Sequence, residues 1–315
     1  MSVSQLRQAV RAGGLLAPGR PVLAMISGGR DSTCLIDVAV ALLGAAAVGA
    51  LHVNYGLRGE ARGDQQHCEG LCEELGVALA VHSAEPPPPD AAGNLQAWAR
   101  EVRYELAGRL ARERGAAILT GHTSSDQVET ILYRLAASPG RRALLGMSPR
   151  EGEVLRPLLG ADREQTAAYC LERGLGWRED ASNQDARFAR SRVRHQLVPA
   201  LRAVHPAAEA NVLRTAALLR EETELLDGLV AAELEGAESI ALERLGRLPD
   251  ALARMVVVRL AEDAAGTYVP QAGDRVAEIL ALGRRGGRAE LHLGGGAAAV
   301  LDGGRLSMVR LPPRA

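Results

Sequence analysis

The chain of 315 residues contains no lysine: all 37 of its basic residues are arginine. That absence excludes every chemistry built on a protein ammonium group, including Schiff-base and pyridoxal catalysis, the Walker A phosphate lysine and the kinase strand lysine. Phosphate must therefore be bound by backbone, hydroxyls, arginine or metal. Aromatic residues are scarce, with two Trp, five Tyr and one Phe, so any stacking surface rests on a few side chains. The four cysteines, Cys34, Cys68, Cys72 and Cys170, form no CxxC and no zinc-like spacing, and read as small semi-buried residues in a reducing compartment. The longest apolar stretch, Val38 to Leu51, spans about 14 residues, is interrupted by Gly44 and Gly49, and is too short to cross a bilayer. No N-terminal targeting pattern is visible, so a cytoplasmic location is expected. A net charge of -1 argues against nonspecific polyanion binding.

What is present is an alternation. From Val22 to Glu129, short apolar runs alternate with amphipathic stretches, the pattern of a parallel sheet flanked by helices. Strands are expected at 21–26, 48–54, 77–82 and 116–121, with helices at 31–43, 64–75, 94–114 and 124–137. The Pro86 to Pro89 run reads as a stiff loop. A basic region punctuated by Gly and Pro, 138–157, leads to helices near 162–172 and 186–202. After Pro206, apolar residues at helical spacing without proline predict one long connecting helix over 207–235. The remainder, 236–315, reads as a small, mainly helical unit with two short strands near 289–293 and 306–311. The expected class is therefore α/β: a parallel-sheet, Rossmann-like catalytic domain over 1–206, a connecting helix, and a small C-terminal domain.

The most informative segment is Ser27-Gly28-Gly29-Arg30-Asp31-Ser32, directly after an apolar strand and opening a helix. Glycines let the backbone curl around an anion, while Ser27, Ser32 and the helix N-terminus supply donors. Asp31 would repel a bare phosphate. It makes sense if a Mg²⁺ ion lies between the carboxylate and the phosphates, which makes Asp31 the metal-ligand candidate.

SGGRDS resembles the pyrophosphate loop (PP-loop) of the N-type ATP pyrophosphatases, which cleave ATP between its α- and β-phosphates and adenylate an acceptor. Sulfur-inserting members would be expected to carry paired reactive cysteines. Amide-forming members depend on a glutaminase domain, for which the stretch before the first strand leaves no room. The remaining motifs are His52-Val53-Asn54-Tyr55-Gly56-Leu57-Arg58-Gly59-Glu60, the 94–104 segment NLQAWAREVRY, the 121–130 segment GHTSSDQVET, Arg156-Pro157-Leu158-Leu159, Glu179-Asp180-Ala181-Ser182-Asn183 and Arg190-Ser191-Arg192-Val193-Arg194. In this order they are similar to the tRNA(Ile)-lysidine synthetase family, over about residues 20 to 205. By length the chain looks like the shorter members, which lack a further C-terminal domain.

The resemblance implies a tRNA-modifying ligase that uses ATP and Mg²⁺ to adenylate the wobble cytidine of tRNA(Ile) with a CAU anticodon, then joins free L-lysine to it. It implies no membrane partner and is compatible with a homodimer. The loop residues Ser27, Gly28, Gly29, Arg30, Asp31 and Ser32, with Val53 at the second strand end, are then the nucleotide-binding set. Asp126 is a second carboxylate candidate, for metal or for an incoming ammonium group, or else a helix N-terminal carboxylate favoured by the dipole. His122 stands at the same sheet edge, suited to proton transfer or to orienting the adenylate. Arg100 and Arg103, three apart on one helix face, are candidates for phosphate or base contact. Arg187, Arg190 and Arg194 form one basic face for tRNA docking, with Arg284, Arg285 and Arg288 as a second contact and Tyr55 as the preferred stacking residue. The chain departs from the family pattern at Tyr55, usually His, at Ser125, usually Asp, and at Ser191, usually Asn. These departures keep open another ATP-dependent tRNA-modifying enzyme of the same superfamily. A non-catalytic binding module is disfavoured by the retained Asp31.

Overall fold

The computed structural model describes residues 1–56, 59–88, 95–138, 140–179 and 189–312, and divides into two compact units, Met1–Ala217 and Leu218–Ala315. In chain order the first unit contains α1 (Val3–Ala12), β1 (Val22–Met25), α2 (Arg30–Leu43), β2 (Val48–Asn54), α3 (Ala61–Leu75), β3 (Ala78–Ser83), α4 (Leu95–Arg114), β4 (Ala117–Leu119), α5 (Ser124–Ala137), α6 (Arg141–Leu144), β5 (Arg150–Glu151), β6 (Val154–Leu155), α7 (Arg163–Arg173), α8 (Ala189–Arg192) and α9 (Val198–Val204). The helix α10 (Ala208–Leu234) begins in it and continues into the second.

The sheet order is β3-β2-β1-β4-β6-β5, parallel throughout except for the β5–β6 hairpin. Val22 of β1 pairs with Val48 of β2 on one side and Ala117 of β4 on the other. The chain thus winds outward in two directions from β1, and the crevice beyond the carboxyl ends of β1 and β4 is the switch point where such sheets bind ligands. Both faces are covered, which is why the strands read as nearly unbroken apolar runs. Val22, Ala24 and Ile26 pack with Leu35, Val38 and Cys170 on one face; Leu23, Met25, Leu51 and Val53 pack with Leu106, Ala107 and Ala111 of α4 on the other.

The expected α/β architecture holds, and α5 matches its expected bounds. Four elements escaped the periodicity reading: α1, α6, β5 and β6. The α1 helix is set by a capping box, Ser2 accepting from the Gln5 amide while Gln5 accepts from that of Ser2. The β5 and β6 strands have two residues each, too short to show a period. The helix expected over 186–202 is described from Ala189 and carries a π turn at Val193–Leu197, ending two residues before Pro199. Proline cannot donate to the preceding turn, so the ladder widens there.

The second unit is richer in strand than expected. Around α12 (Asp250–Ala265) it builds an antiparallel sheet in the order β7-β10-β9-β8, from β7 (Ser239–Ala241), β8 (Ala289–Gly294), β9 (Ala297–Asp302) and β10 (Arg305–Arg310), with α11 (Leu242–Arg247) and α13 (Val276–Arg284) completing it. Two of these strands, β7 and β9, were not anticipated. The Ala297-Ala298-Ala299 run favours helix intrinsically, but these alanines pair with Met308, Val309 and Arg310 of β10 and are fully buried. Arg284, Arg285 and Arg288 lie exposed on the turn from α13 to β8. Among the described residues no helix is long and apolar enough to cross a membrane.

Candidate active site

The glycine loop leaves β1 at the switch point and curls through Gly28, whose φ of +78° lies in the left-handed region that glycine tolerates. A Cβ there would meet His67 Cδ2 at 3.3 Å and Cys68 Sγ at 3.5 Å. Internal hydrogen bonds fix the curl: the Ser27 amide donates to Ser32 Oγ (3.2 Å), and Ser32 Oγ donates to the Gly29 carbonyl (2.8 Å). The Arg178 amide donates to the Gly28 carbonyl, bracing the loop from behind. At the start of α2, Gly29 caps the helix without any side-chain hydrogen bond, leaving first-turn amides for an anion.

The end of β4 closes on this loop. A Cβ at Gly121 would lie 3.0 Å from the carbonyl carbon and oxygen of Asp31, so only glycine allows the two segments to approach this closely. His122 follows, its Nδ1 bonded to Thr120 Oγ1 at 2.8 Å. Burial holds the imidazole pKa down to about 4; Arg190, Arg156 and Arg100 add to the shift and Asp126 opposes it. His122 is therefore neutral at pH 7.

Asp31 accepts from Thr166 Oγ1 at 2.5 Å and from Arg30 Nε at 3.1 Å, both at Oδ1. Among the described residues its Oδ2 has only the guanidinium of Arg163, at 4.0 Å. A carboxylate oxygen left open beside phosphate-binding amides suits Mg²⁺, which takes one or two carboxylates and completes its shell with phosphate and water. Among the described residues no group of three or more His, Cys, Asp or Glu could hold a metal ion alone.

One turn into α5 lies a buried acid pair, Asp126 and Glu129, 8% and 3% exposed. Asp126 serves two functions at once. Its Oδ2 accepts from the Thr123 amide (2.8 Å) and hydroxyl (2.9 Å), capping α5, while Oδ1 accepts from Arg163 Nη2 (2.7 Å) and Arg190 Nη2 (3.0 Å). Glu129 accepts from Arg163 Nη1 (2.6 Å) and Arg190 Nε (3.1 Å), with Arg194 Nε at 4.0 Å. Burial by itself would raise the Asp126 pKa, but Arg163, Arg190 and the Thr123 amide outweigh it and hold it below the ordinary value.

Arg190 and Arg194, expected on an open basic face, are thus turned toward buried carboxylates; two charges in a low-dielectric setting require counter-charges close by. Arg187 lies outside the described residues. Arg100 lies over the Tyr104 ring at 4.5 Å, and Arg103 lies 5.9 Å from it with its Nε buried and without a hydrogen-bond partner among the described residues. Tyr55 donates its hydroxyl to the Ala99 carbonyl (2.8 Å) and meets Trp98 edge-on at 5.7 Å, which seats it against α4. The Val53 side chain, expected among the nucleotide-binding residues, is buried in the core.

The structure gathers Ser27–Ser32, Asp31, His122 and Asp126 at one sheet edge. Sequence reasoning missed Arg163 and Thr166, which join them. Their only signal was the Asp162-x-x-Gln165 capping box that starts α7 beside them.

A pyrophosphate loop at the switch point of a 3-2-1-4 sheet, with a carboxylate in its helix, defines a PP-loop protein, and the PP-loop domain family model matches residues 2–201. The chain is 35% identical to the tRNA(Ile)-lysidine synthase of Symbiobacterium thermophilum over 336 aligned positions, covering 99% of this chain and 70% of that protein. It is 42% identical to the one from Thermus thermophilus over 226 positions (70% and 43% covered), and 37% to the one from Pseudomonas fluorescens over 246 (72% and 55%). The chain belongs to the tRNA(Ile)-lysidine synthase family. It spans about half the length of several curated relatives that it matches, 55% and 43% in the last two cases. Its fold is also similar to that of the U34-tRNA thiolase NcsA from Methanococcus maripaludis, with a TM-score of 0.58 at 16% identity over 69% of this chain and 78% of that one.

Proposed function

We propose that the chain is an ATP-dependent ligase that adenylates the wobble cytidine of tRNA(Ile) bearing a CAU anticodon and joins free L-lysine to it, acting in the cytoplasm. The observation that supports the reading is that a glycine loop with open first-turn amides and a buried acid pair stand at one sheet edge, an arrangement suited to a polyphosphate beside an organic cation.

The C2 oxygen of cytidine is a poor leaving group. In the first step it attacks the α-phosphorus of ATP, forming a P–O bond as pyrophosphate leaves. In the second the ε-amine of lysine attacks C2, the C2–O bond breaks, AMP departs and the amine loses a proton. The Gly29–Ser32 amides and Ser27 and Ser32 hydroxyls bind the β- and γ-phosphates, where charge accumulates in the first step. Asp31 would hold a Mg²⁺ ion there, which would supply further neutralisation of that charge. Asp126 and Glu129 bind an ammonium group of the amino acid. His122, neutral at working pH, orients the adenylate by hydrogen bonding and is too weak a base to take the amine proton efficiently. Arg100 and Arg103 contact phosphate or base, Arg190 and Arg194 meet the tRNA backbone when they leave the acid pair, and the exposed Arg284, Arg285 and Arg288 provide a second tRNA contact within the small domain.

Incubation of the protein with Mg-ATP, labelled lysine and CAU-bearing tRNA(Ile) tests this. Pyrophosphate, AMP and label in tRNA should appear in equal amounts. Pyrophosphate without label would point to another acceptor chemistry, and the absence of both would leave a binding module. Asp31→Ala should abolish pyrophosphate release while leaving tRNA affinity nearly intact.

A further inference from the structure

The guanidinium of Arg163 stands between the two halves of the site. It donates to Glu129 at 2.6 Å and to Asp126 at 2.7 Å, and its Nε lies 4.0 Å from Asp31 Oδ2. No other described residue has an ion pair with both Asp31 and the acid pair: Arg30 reaches only Asp31, and Arg190 only Asp126 and Glu129. Its side chain is 18% exposed against 48% for Arg190, so it is the more deeply buried of the two. The backbone anchors it further. Its amide donates to Ser125 Oγ (3.3 Å) in the first turn of α5, and Thr166, one turn later on α7, donates to Asp31. The start of α7 therefore holds the loop carboxylate and the acid pair with a single cation shared among three acids.

We propose that Arg163 is a positioning residue that makes occupancy of the two halves antagonistic. A divalent cation on Asp31 takes that carboxylate away and leaves the guanidinium wholly to Asp126 and Glu129. An ammonium group on the acid pair pushes the guanidinium toward Asp31. Each ligand thus strengthens the internal competitor of the other. The amine is bound firmly only after pyrophosphate and its metal have left, which places its attack after adenylation. The inference rests on the reading of the acid pair as the amine's site, and linkage requires the effect to be equal in both directions.

Titration calorimetry on the full chain tests it. L-lysine is titrated with and without Mg²⁺ plus an ATP analogue bearing a methylene bridge between the α- and β-phosphorus. The wild-type lysine Kd should rise at least about fivefold with the Mg-nucleotide. In Arg163→Gln the ratio should fall below about twofold, and in Arg163→Lys, which keeps the charge but lacks the fork, it should be intermediate. Simple repulsion between two bound cations would persist in all three proteins, so an unchanged ratio in Arg163→Gln overturns the proposal.

A second arm needs no lysine. Asp126→Asn releases Arg163 toward Asp31 and should weaken Mg²⁺ binding to the analogue complex severalfold in the wild-type background, but much less in Arg163→Gln. Equal weakening in both backgrounds overturns the proposal. Lysine binding nowhere while this arm succeeds would instead remove the acid pair as the amine's site. If Arg163→Gln fails to fold, Arg163→Lys carries both comparisons, a ratio equal to wild type counting against the proposal.

Discussion

The Thr166 hydroxyl donates to Asp31 Oδ1 at 2.5 Å, joining the first turn of α7 to the first turn of α2 across 135 positions of sequence. Thr166 is fully buried, and its partner is the carboxylate beside the pyrophosphate loop. The contact leaves Oδ2 as the outward oxygen of Asp31.

Thr166→Val keeps the shape and removes the donor. A hydrogen bond to a charged group contributes about 1.5–3 kcal/mol, so the KM for Mg-ATP in pyrophosphate release should rise on the order of tenfold or more. The melting temperature should change by only a few degrees. A wild-type KM would mean that Asp31 is oriented by other contacts.

Gly121→Ala should be damaging for a steric reason. The added methyl would meet backbone atoms of Asp31 and Ser32 at 3.0–3.1 Å, and neither segment has a flexible side chain to yield. Overpacking of this kind costs about 1–3 kcal/mol. Nucleotide affinity should fall more than global stability, which titration with a non-cleavable ATP analogue and urea unfolding would separate.

The pKa of His122 gives a pH dependence with a definite sign. Its folded value, about 4, lies below the ordinary 6.5, so the unfolded state takes up the proton first as pH falls. Stability linked to His122 is fully present above pH 6.5 and drains away as pH drops toward 4, about 2 kcal/mol of it between pH 7 and pH 5. His122→Gln should lose that slope in urea unfolding measured at both pH values. His67, whose pKa is also lowered, chiefly by burial, remains in both proteins and cancels in the comparison.

Asp37→Asn tests the structural core of the first unit. Asp37 on α2 accepts from Arg7 of α1 (2.9 Å), from Arg173 of α7 (3.0 Å) and from the Tyr169 hydroxyl. Burial would raise its pKa, but Arg173, Tyr169 and Arg7 together hold it below the usual value. Losing the charge should cost about 3 kcal/mol at pH 7. The penalty should shrink in acid, as the wild-type carboxyl becomes protonated on passing below its folded pKa.

The elements that could be read in advance were those with long, regular patterns. The strand Val48–Asn54 and the helix Ser124–Ala137 were legible to the residue because alternating apolar and amphipathic runs mark them locally. The glycine loop was legible because a strand, two glycines and a helix start follow one another directly. Arg190 and Arg194 show the limit. Their helical spacing describes a face, but which neighbour that face meets depends on α5, some sixty positions earlier, and the buried acids there attract both arginines.

By itself the sequence determined the parallel α/β class, the phosphate loop with its carboxylate, and the exclusion of any lysine chemistry from the protein. These are local or compositional properties, settled by neighbours within a few residues. Tertiary structure decided the rest: that Thr166 and Arg163 of α7 reach Asp31 and the acid pair, and that an alanine run becomes β9. Both follow from burial, because charges and backbone groups withdrawn from water are satisfied by whatever partner the fold brings to them, however distant in the chain.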